Sequence, residues 1–287
     1  MNTLSIELKT AVLNCLIEGN SIRSTTRITG VAKNTVRDLI REVGPACEAF
    51  QRTWFRDLTC TRIEADEIWS FVGAKNKNVP EQDRNQGAVG SVWTFVAICP
   101  VCKLIPAWRI GPRDLATADA LLADLKGAMR GKFQFSTDAL ETYTTAIVQN
   151  FRATEIDYGT IDKDYRSTGD DRRADRRYSP GALVSTKKRV VIGDPDESKI
   201  CTSYIERANL SIRMTNRRYT RLTNAFSKRV EMHRLSIAMT FFFYNLIKKH
   251  RSLGGKTPAM AAGITDHVFT VRDMIFAADT NIDTRAA

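Results

Sequence analysis

The most constraining stretch of the chain lies between residues 62 and 151. Arg62–Val72 alternates apolar and polar side chains, with Ile63, Ala65, Glu67, Trp69 and Phe71 on one face. Such alternation marks a strand. A polar loop follows over 73–90, and Val92–Ile98 and Lys103–Ile110 read as two further strands around Cys99-Pro-Val-Cys102. Leu115, Ala118, Leu121, Leu122 and Leu125 then recur at helical spacing, with Asp114 placed to cap that helix. Phe133–Ser136 reads as a fourth strand ending at Asp138, and Ala139–Phe151 as a helix. Three antiparallel strands, helix, strand, helix is the order of one mixed α/β sheet with helices packed on it.

The flanking segments are helical. Leu4, Leu8, Ala11, Val12, Cys15 and Leu16 share one helical face. Ser21 can cap a short second helix that ends at Gly30. A third helix follows, with Val36, Leu39, Ile40 and Val43 inward and Lys33, Asn34, Thr35 and Arg37 outward. Short helix, glycine turn and a helix with polar outward residues describe a helix-turn-helix. Its outward set suits the major groove, where Asn pairs with adenine and Lys or Arg with guanine or phosphate. Gly44-Pro45 predicts the end of that helix and a domain edge. Residues 157–199 read as a long basic loop with a short strand at Val190–Ile192. Thr202–Arg218, Phe226–Lys249, Thr257–Ala262 and Val271–Ala278 read as helices, and Phe241–Tyr244 as core.

Charge is unevenly placed along the 287 residues. Residues 166–251 hold 20 basic and 8 acidic side chains, whereas 62–165 hold 12 and 14. One basic block on a folded chain fits a polyanion partner, nucleic acid first. There is no apolar run long enough for a transmembrane helix and no signal-peptide pattern, so a cytoplasmic protein is expected. Six cysteines are too few and too unevenly spaced for a disulfide framework. Cys99-Pro-Val-Cys102 has the spacing of a zinc knuckle, but without a second Cys or His pair nearby it reads as a hairpin turn. None of His233, His250 and His267 has ligand spacing to another, and His250 reads as a surface residue able to touch phosphate.

Three acids stand out. Asp66 sits mid-strand, where an acid is disfavoured without a purpose. Asp138 directly follows the fourth strand, and Glu206 lies in a helix beside Ile205, Ala208 and Ile212. Carboxylates from strand centre, strand end and helix can converge and hold hard divalent ions. Two such ions can activate a water or hydroxyl and stabilise the leaving oxygen of a phosphodiester. On position alone Glu64 and Glu67 compete with Asp66, and Glu197 competes with Glu206.

The chain resembles the transposases of the insertion sequence one family, which carry a DDE catalytic core on an RNase H-like fold. The resemblance rests on Ser21–Gly30 leading into Lys33-Asn-Thr-Val36, on Ala65-Asp-Glu-Ile-Trp-Ser-Phe-Val72, on Ser136-Thr-Asp-Ala-Leu-Glu-Thr-Tyr143, on Tyr204-Ile-Glu-Arg-Ala-Asn-Leu210 and on Thr257-Pro-Ala-Met-Ala-Ala-Gly263. These segments stand in the family's order and span nearly the whole chain. The resemblance selects Asp66, Asp138 and Glu206 as catalytic ligands of two Mg²⁺ ions, with Mn²⁺ able to substitute. It places Arg213, two helical turns past Glu206, where related enzymes put a basic residue on DNA. It implies binding of terminal inverted repeats, cleavage that frees a 3′-hydroxyl, and attack of that hydroxyl on target DNA. It further implies a homodimer or larger assembly holding two DNA ends, associated with the nucleoid.

The expected organisation is therefore a helix-turn-helix over 1–44, a linker over 45–61, an RNase H-like catalytic domain over 62–251 with a basic insertion at 157–199, and a helical tail over 252–287. Lys33, Asn34, Thr35 and Arg37 would read the repeats. Arg172, Arg173, Arg176, Arg177, Lys187, Lys188 and Arg189 would contact phosphates. Family members commonly carry a zinc-binding segment ahead of the helix-turn-helix, and this sequence begins almost at the first helix. A metal-dependent nuclease or resolvase of the same fold, and a non-catalytic DNA-binding regulator, are the rival readings.

Overall fold

The computed structural model describes residues 4–83, 89–166, 182–220 and 223–279. The chain is mixed α/β, with a six-stranded mixed sheet flanked by helices. The strands are β1 (Arg62–Val72), β2 (Gly90–Ile98), β3 (Ala107–Gly111), β4 (Phe133–Thr137), β5 (Ile156–Arg166) and β6 (Ala182–Ile192). Their order across the sheet is β3-β2-β1-β4-β5-β6. The pairs β1–β2 and β2–β3 are antiparallel, β1–β4 and β4–β5 parallel, and β5–β6 antiparallel. An antiparallel meander extended by two parallel strands beside β1 is the RNase H-like order.

The N-terminal helices are α1 (Ile6–Ile17), α2 (Ile22–Thr29) and α3 (Lys33–Trp54). Ser21 caps α2 by accepting from the Ser24 N–H, and Gly30 ends it at φ +71°, a left-handed turn that glycine adopts without strain. Val36, Leu39, Ile40 and Val43 of α3 are buried, while Lys33, Asn34 and Thr35 are exposed and Arg37 is half-buried.

One expectation fails here. The sequence reading ends the third helix at Gly44-Pro45, but α3 runs unbroken to Trp54, so most of the supposed linker is helix. Pro45 costs one intrahelical hydrogen bond, to the Arg41 carbonyl. Tertiary packing outweighs that loss. The helix α7 (Val230–Phe242) lies so close that a Cβ on Gly44 would stand 2.7 Å from Leu235 Cβ. Glycine is there for close helix–helix approach. Beyond it, Phe50 packs edge-on to Phe242 and Phe269, at centroid distances of 5.2 and 5.5 Å. Buried residues of α3, α7 and α9 (Val271–Asp279) belong to one core with those of the sheet.

Helices α4 (Leu115–Ala128) and α5 (Glu141–Asn150) pack together beside the sheet, and α6 (Ser203–Thr215) packs against β1 and β2. The α7 helix passes into a π-helical turn over Phe243–Ile247, and α8 (Pro258–Ala261) begins with proline after a Thr257 cap. Phe241 and Phe242 are fully buried, as the aromatic run predicts.

The second departure is at 157–199. In place of a long loop, two eleven-residue strands, β5 and β6, form an antiparallel ribbon at the sheet edge. Arg172, Arg173, Arg176 and Arg177 lie outside the described residues. Lys187, Lys188 and Arg189 are consecutive on β6, so their side chains alternate between the two faces of the sheet. Lys188 is engaged within the chain, donating to the carbonyls of Glu197 and Ser198. The run is thus no single patch, and cationic side chains on an exposed edge strand also guard it against edge-to-edge pairing.

Candidate active site

The register of the sheet places the first two acids. Arg62, Ile63 and Glu64 of β1 pair in parallel with Gln134, Phe135 and Ser136 of β4. Extended by two residues, that register sets Asp66 level with Asp138, just past the end of β4. Adjacent strands are about 4.8 Å apart. Oxygens of Asp66, Glu67 and Asp138 accordingly fall within 4.8 Å of one another. Asp138 also turns the chain into α5, accepting from the Leu140 N–H at 3.1 Å.

Glu206 arrives from the first turn of α6. The acid that places this helix is Glu64, buried on β1, which accepts from the N–H groups of Tyr204 (2.9 Å) and Ile205 (3.1 Å). Glu64 therefore serves the helix start and is not part of the cleft. One turn on, Asn209 donates to Asp66 at 2.8 Å. Asp66, Asp138 and Glu206 line one cleft of about 350 Å³, together with Arg113, Asp162, Lys163, Tyr165 and Thr202. Glu197 heads a short 3₁₀ turn and does not line it.

The electrostatics mark a crowded acidic site. Burial raises the Asp66 pKa, and the Asp138 and Glu206 charges raise it further against the pull of Asn209. Glu67 is pushed up to about 7, by burial first and then by Asp138 and Asp66. Two cations answer these charges. Arg113 pairs with Glu67 at 3.0 Å and approaches Asp138 at 3.8 Å, its guanidinium lying 4.9 Å from the Trp93 ring. Lys163, on β5, pairs with Glu206 and donates to Thr202 at 3.0 Å. The four acids that line the cleft, Asp66, Asp138, Asp162 and Glu206, outnumber its two cations, Arg113 and Lys163.

That donor set fits a hard divalent ion. The oxygens of Asp66, Glu67 and Asp138 are close enough to share a cation, and a buried acceptor beside them, Asn209 Oδ1, has no hydrogen-bond partner. Glu67, with its side chain almost fully buried and held by Arg113, sits beneath the cluster. Asp138 and Glu206 are 44 % and 46 % exposed and open to incoming substrate.

Sequence reasoning passed over Arg113, Asn209 and Lys163. Asn209 stood in the quoted Tyr204–Leu210 segment, three residues past Glu206 and hence on its helical face. Lys163 was hidden by the reading of β5 as loop. Trp69 and Trp93 are half-buried on the sheet, with Trp69 donating to Ser91 at 3.0 Å. One further expectation is corrected. His250 is not a plain surface residue, since its Nε2 is buried.

The basic residues divide between places. Lys33 and Arg37 line a second groove, of about 700 Å³, between the N-terminal helices and residues 216–218 and 223–229. Arg23, Arg217, Arg218, Lys228 and Arg229 also line it, and no acid does among the described residues. Asn34 and Thr35 are exposed outside that groove. Arg213 is half-buried in the last turn of α6 and does not line the acidic cleft.

No protein-family model and no curated protein sequence matches the chain. Among solved structures it is similar to the Mos1 transposase paired-end complex with left transposon end, at TM-score 0.25 and 12% identity over 55% of this chain and 59% of that one. A pre-cleavage Mos1 transpososome aligns over 99% of this chain and 82% of that one, at TM-score 0.29 and 8% identity. The Mos1 mariner paired-end complex with Mn gives a TM-score of 0.21 at 11% identity, over 54% of this chain and 59% of that one. In two of these three comparisons the match thus spans about three-fifths of the Mos1 chain. No helix among the described residues is long and apolar enough to cross a membrane.

Proposed function

We propose that the chain is a divalent-metal-dependent DNA transposase, cleaving the ends of an element and joining them to target DNA. One observation carries this reading: strand centre, strand end and helix start deliver Asp66, Asp138 and Glu206 to a single open cleft with excess negative charge. Those three residues would hold Mg²⁺, with Mn²⁺ as substitute. The ions supply Lewis-acid stabilisation of the charge that builds on phosphoryl oxygens.

The remaining residues prepare that site. Asn209 fixes the rotamer of Asp66 by donating to one of its oxygens. Arg113 holds Glu67 in place and offsets part of the repulsion among the acids. Lys163 and Thr202 orient Glu206 from two sides. An in-line attack on phosphorus needs the same arrangement whether the nucleophile is water or a 3′-hydroxyl, so one cleft can serve both steps. Lys33, Asn34, Thr35 and Arg37 would contact the terminal repeats. The basic groove beside them offers phosphate neutralisation, and Arg213 would add a further DNA contact. Two copies of the chain would hold two ends.

The test is an in vitro strand-transfer assay with Mg²⁺, a DNA end taken from the flank of the gene and a supercoiled target. Joined product from the wild type, absent with Asp138→Ala and with Glu206→Ala, is the expected result. Cleavage without joining would replace the reading by a nuclease, and binding with neither would replace it by a regulator.

A further inference from the structure

A second ligand-like cluster lies near the other end of β1. Cys60 precedes the strand by two residues, and Cys99 and Cys102 bracket the turn after β2. The three sulfurs all lie within 4.8 Å of one another, and Cys60 Sγ is 3.9 Å from Cys102 Sγ. Thiolates bound tetrahedrally to zinc at about 2.3 Å stand about 3.8 Å apart, so the measured spacing is that of shared ligation. It is far beyond a disulfide, whose sulfurs are about 2.0 Å apart. The cysteines are free thiols.

The Lys103 N–H returns to the Cys99 carbonyl at 2.8 Å, and Lys103 takes φ +62°, a left-handed conformation uncommon for a residue with a side chain.

We infer that Cys60, Cys99 and Cys102 form a structural site for a soft divalent cation, zinc first. Three thiolates select zinc over magnesium, so this site and the acidic cleft do not compete for one ion. The fourth position is left to water. His250 packs edge-on against Tyr244, at 4.8 Å between ring centroids, and lies outside the group of three sulfurs. Asn245, next to Tyr244, brackets the backbone of Ile105 at the end of the same turn, at 2.9 and 3.0 Å.

The consequence is mechanical. A cation here staples the entry of β1, the strand that carries Asp66, to the β2–β3 turn. Lys103 of that turn lies 3.6 Å from the Tyr204 ring centroid, at the start of the helix that carries Glu206. The staple therefore braces two of the elements that deliver acids to the cleft.

The test uses the full chain purified under reductant. Elemental analysis should find about one zinc per chain, retained in Asp138→Ala and lost in Cys60→Ser and in Cys102→Ser. Because the serine variants could fail to fold, the second measurement is made on the wild type. Zinc is exchanged for Co²⁺, which should give intense thiolate-to-cobalt charge-transfer absorption. Its absence, together with a metal-free chain that is fully folded, would overturn the site. So would loss of zinc in Asp138→Ala, which would move the ion to the acidic cleft. Failure of strand transfer with an intact cobalt spectrum would leave this inference standing and refute only the proposed function.

Discussion

The two ligand clusters at β1 are built by the same sheet and differ in nearly every physical respect. The carboxylates of Asp66, Asp138 and Glu206 open to a cleft of about 350 Å³. The thiols of Cys99 and Cys102 are buried in a turn, with Cys60 half-buried against them. Hard oxygens repel each other and are balanced by Arg113 and Lys163. Soft sulfurs stand together with no carboxylate in the group. An open, charged, partly unsatisfied cluster suits a group that must admit a phosphodiester. A buried cluster of thiols suits a staple. Access and donor softness, more than the number of ligands, separate chemistry from support.

The comparison breaks most visibly at the acids. Asp66→Asn and Asp138→Ala should each lower strand transfer by about 10²-fold or more while leaving the thermal midpoint unchanged or raised, since each relieves like-charge repulsion. A fall in midpoint in step with activity would make these acids structural. Asn209→Ala keeps every acid and removes the group that orients Asp66. About 10- to 100-fold loss of activity is expected, restored in part by raised metal concentration. Steady-state assays across a Mg²⁺ titration measure this, and a loss independent of metal would detach Asn209 from the ligand set.

Away from both clusters, Gly44→Ala sharpens the contrast between stability and chemistry. The new methyl meets Leu235 Cβ at 2.7 Å, and over-packing costs about 1–3 kcal/mol, offset by about 1 kcal/mol of helix propensity. Urea unfolding should show a net loss with unchanged activity per folded molecule. A gain in stability would mean that α3 and α7 separate easily, in favour of a hinge at the 44–45 boundary.

The smallest effect is a pH dependence seated at His233. This imidazole is buried between Ser70 (3.0 Å) and Ser227 (2.8 Å), and burial depresses its pKa to about 3. The Ser70 hydroxyl donates to the Val92 carbonyl at 3.1 Å and so accepts from Nε2, leaving Nδ1 to accept from Ser227. The unfolded chain, with a histidine pKa near 6.5, binds a proton that the folded chain refuses. Stability is therefore full above about pH 6.5 and is lost as pH falls toward 3, at up to about 1.4 kcal/mol per unit. Denaturation at pH 7.5 and 5.5, wild type against His233→Gln, isolates the effect. An equal slope in both would place the titration elsewhere.

The acids stood out in the sequence as candidates, with Glu64, Glu67 and Glu197 as rivals until the resemblance selected among them, whereas Cys60 was not linked to Cys99 and Cys102, for a reason of range. Asp66 interrupts a strand, Asp138 ends one and Glu206 sits near a helix's inward face, so each carries a local anomaly. Cys60 lies 39 positions before Cys99, and only the antiparallel pairing of β1 with β2 brings it there. The strand order of the meander and the burial of Phe241 and Phe242 also followed from periodicity. The edge ribbon did not. Its β5, Ile156–Arg166, mixes Asp, Lys, Gly and Tyr, and its pairing with β6 is interrupted by register shifts near Gly159 and Asp164. Gly44-Pro45 misled because a local break signal was overridden by contact with Leu235, 191 residues away.

The central claim is that Asp66, Asp138 and Glu206 share divalent ions in one cleft. Anomalous scattering from crystals of the full chain grown with Mn²⁺ tests it most directly. The account predicts a manganese peak bridged by Asp66 and Asp138 with Glu206 in reach, and its loss in Asp66→Asn. A cleft without manganese, or manganese held by other residues while Arg113 and Lys163 keep their pairs with the acids, would contradict it.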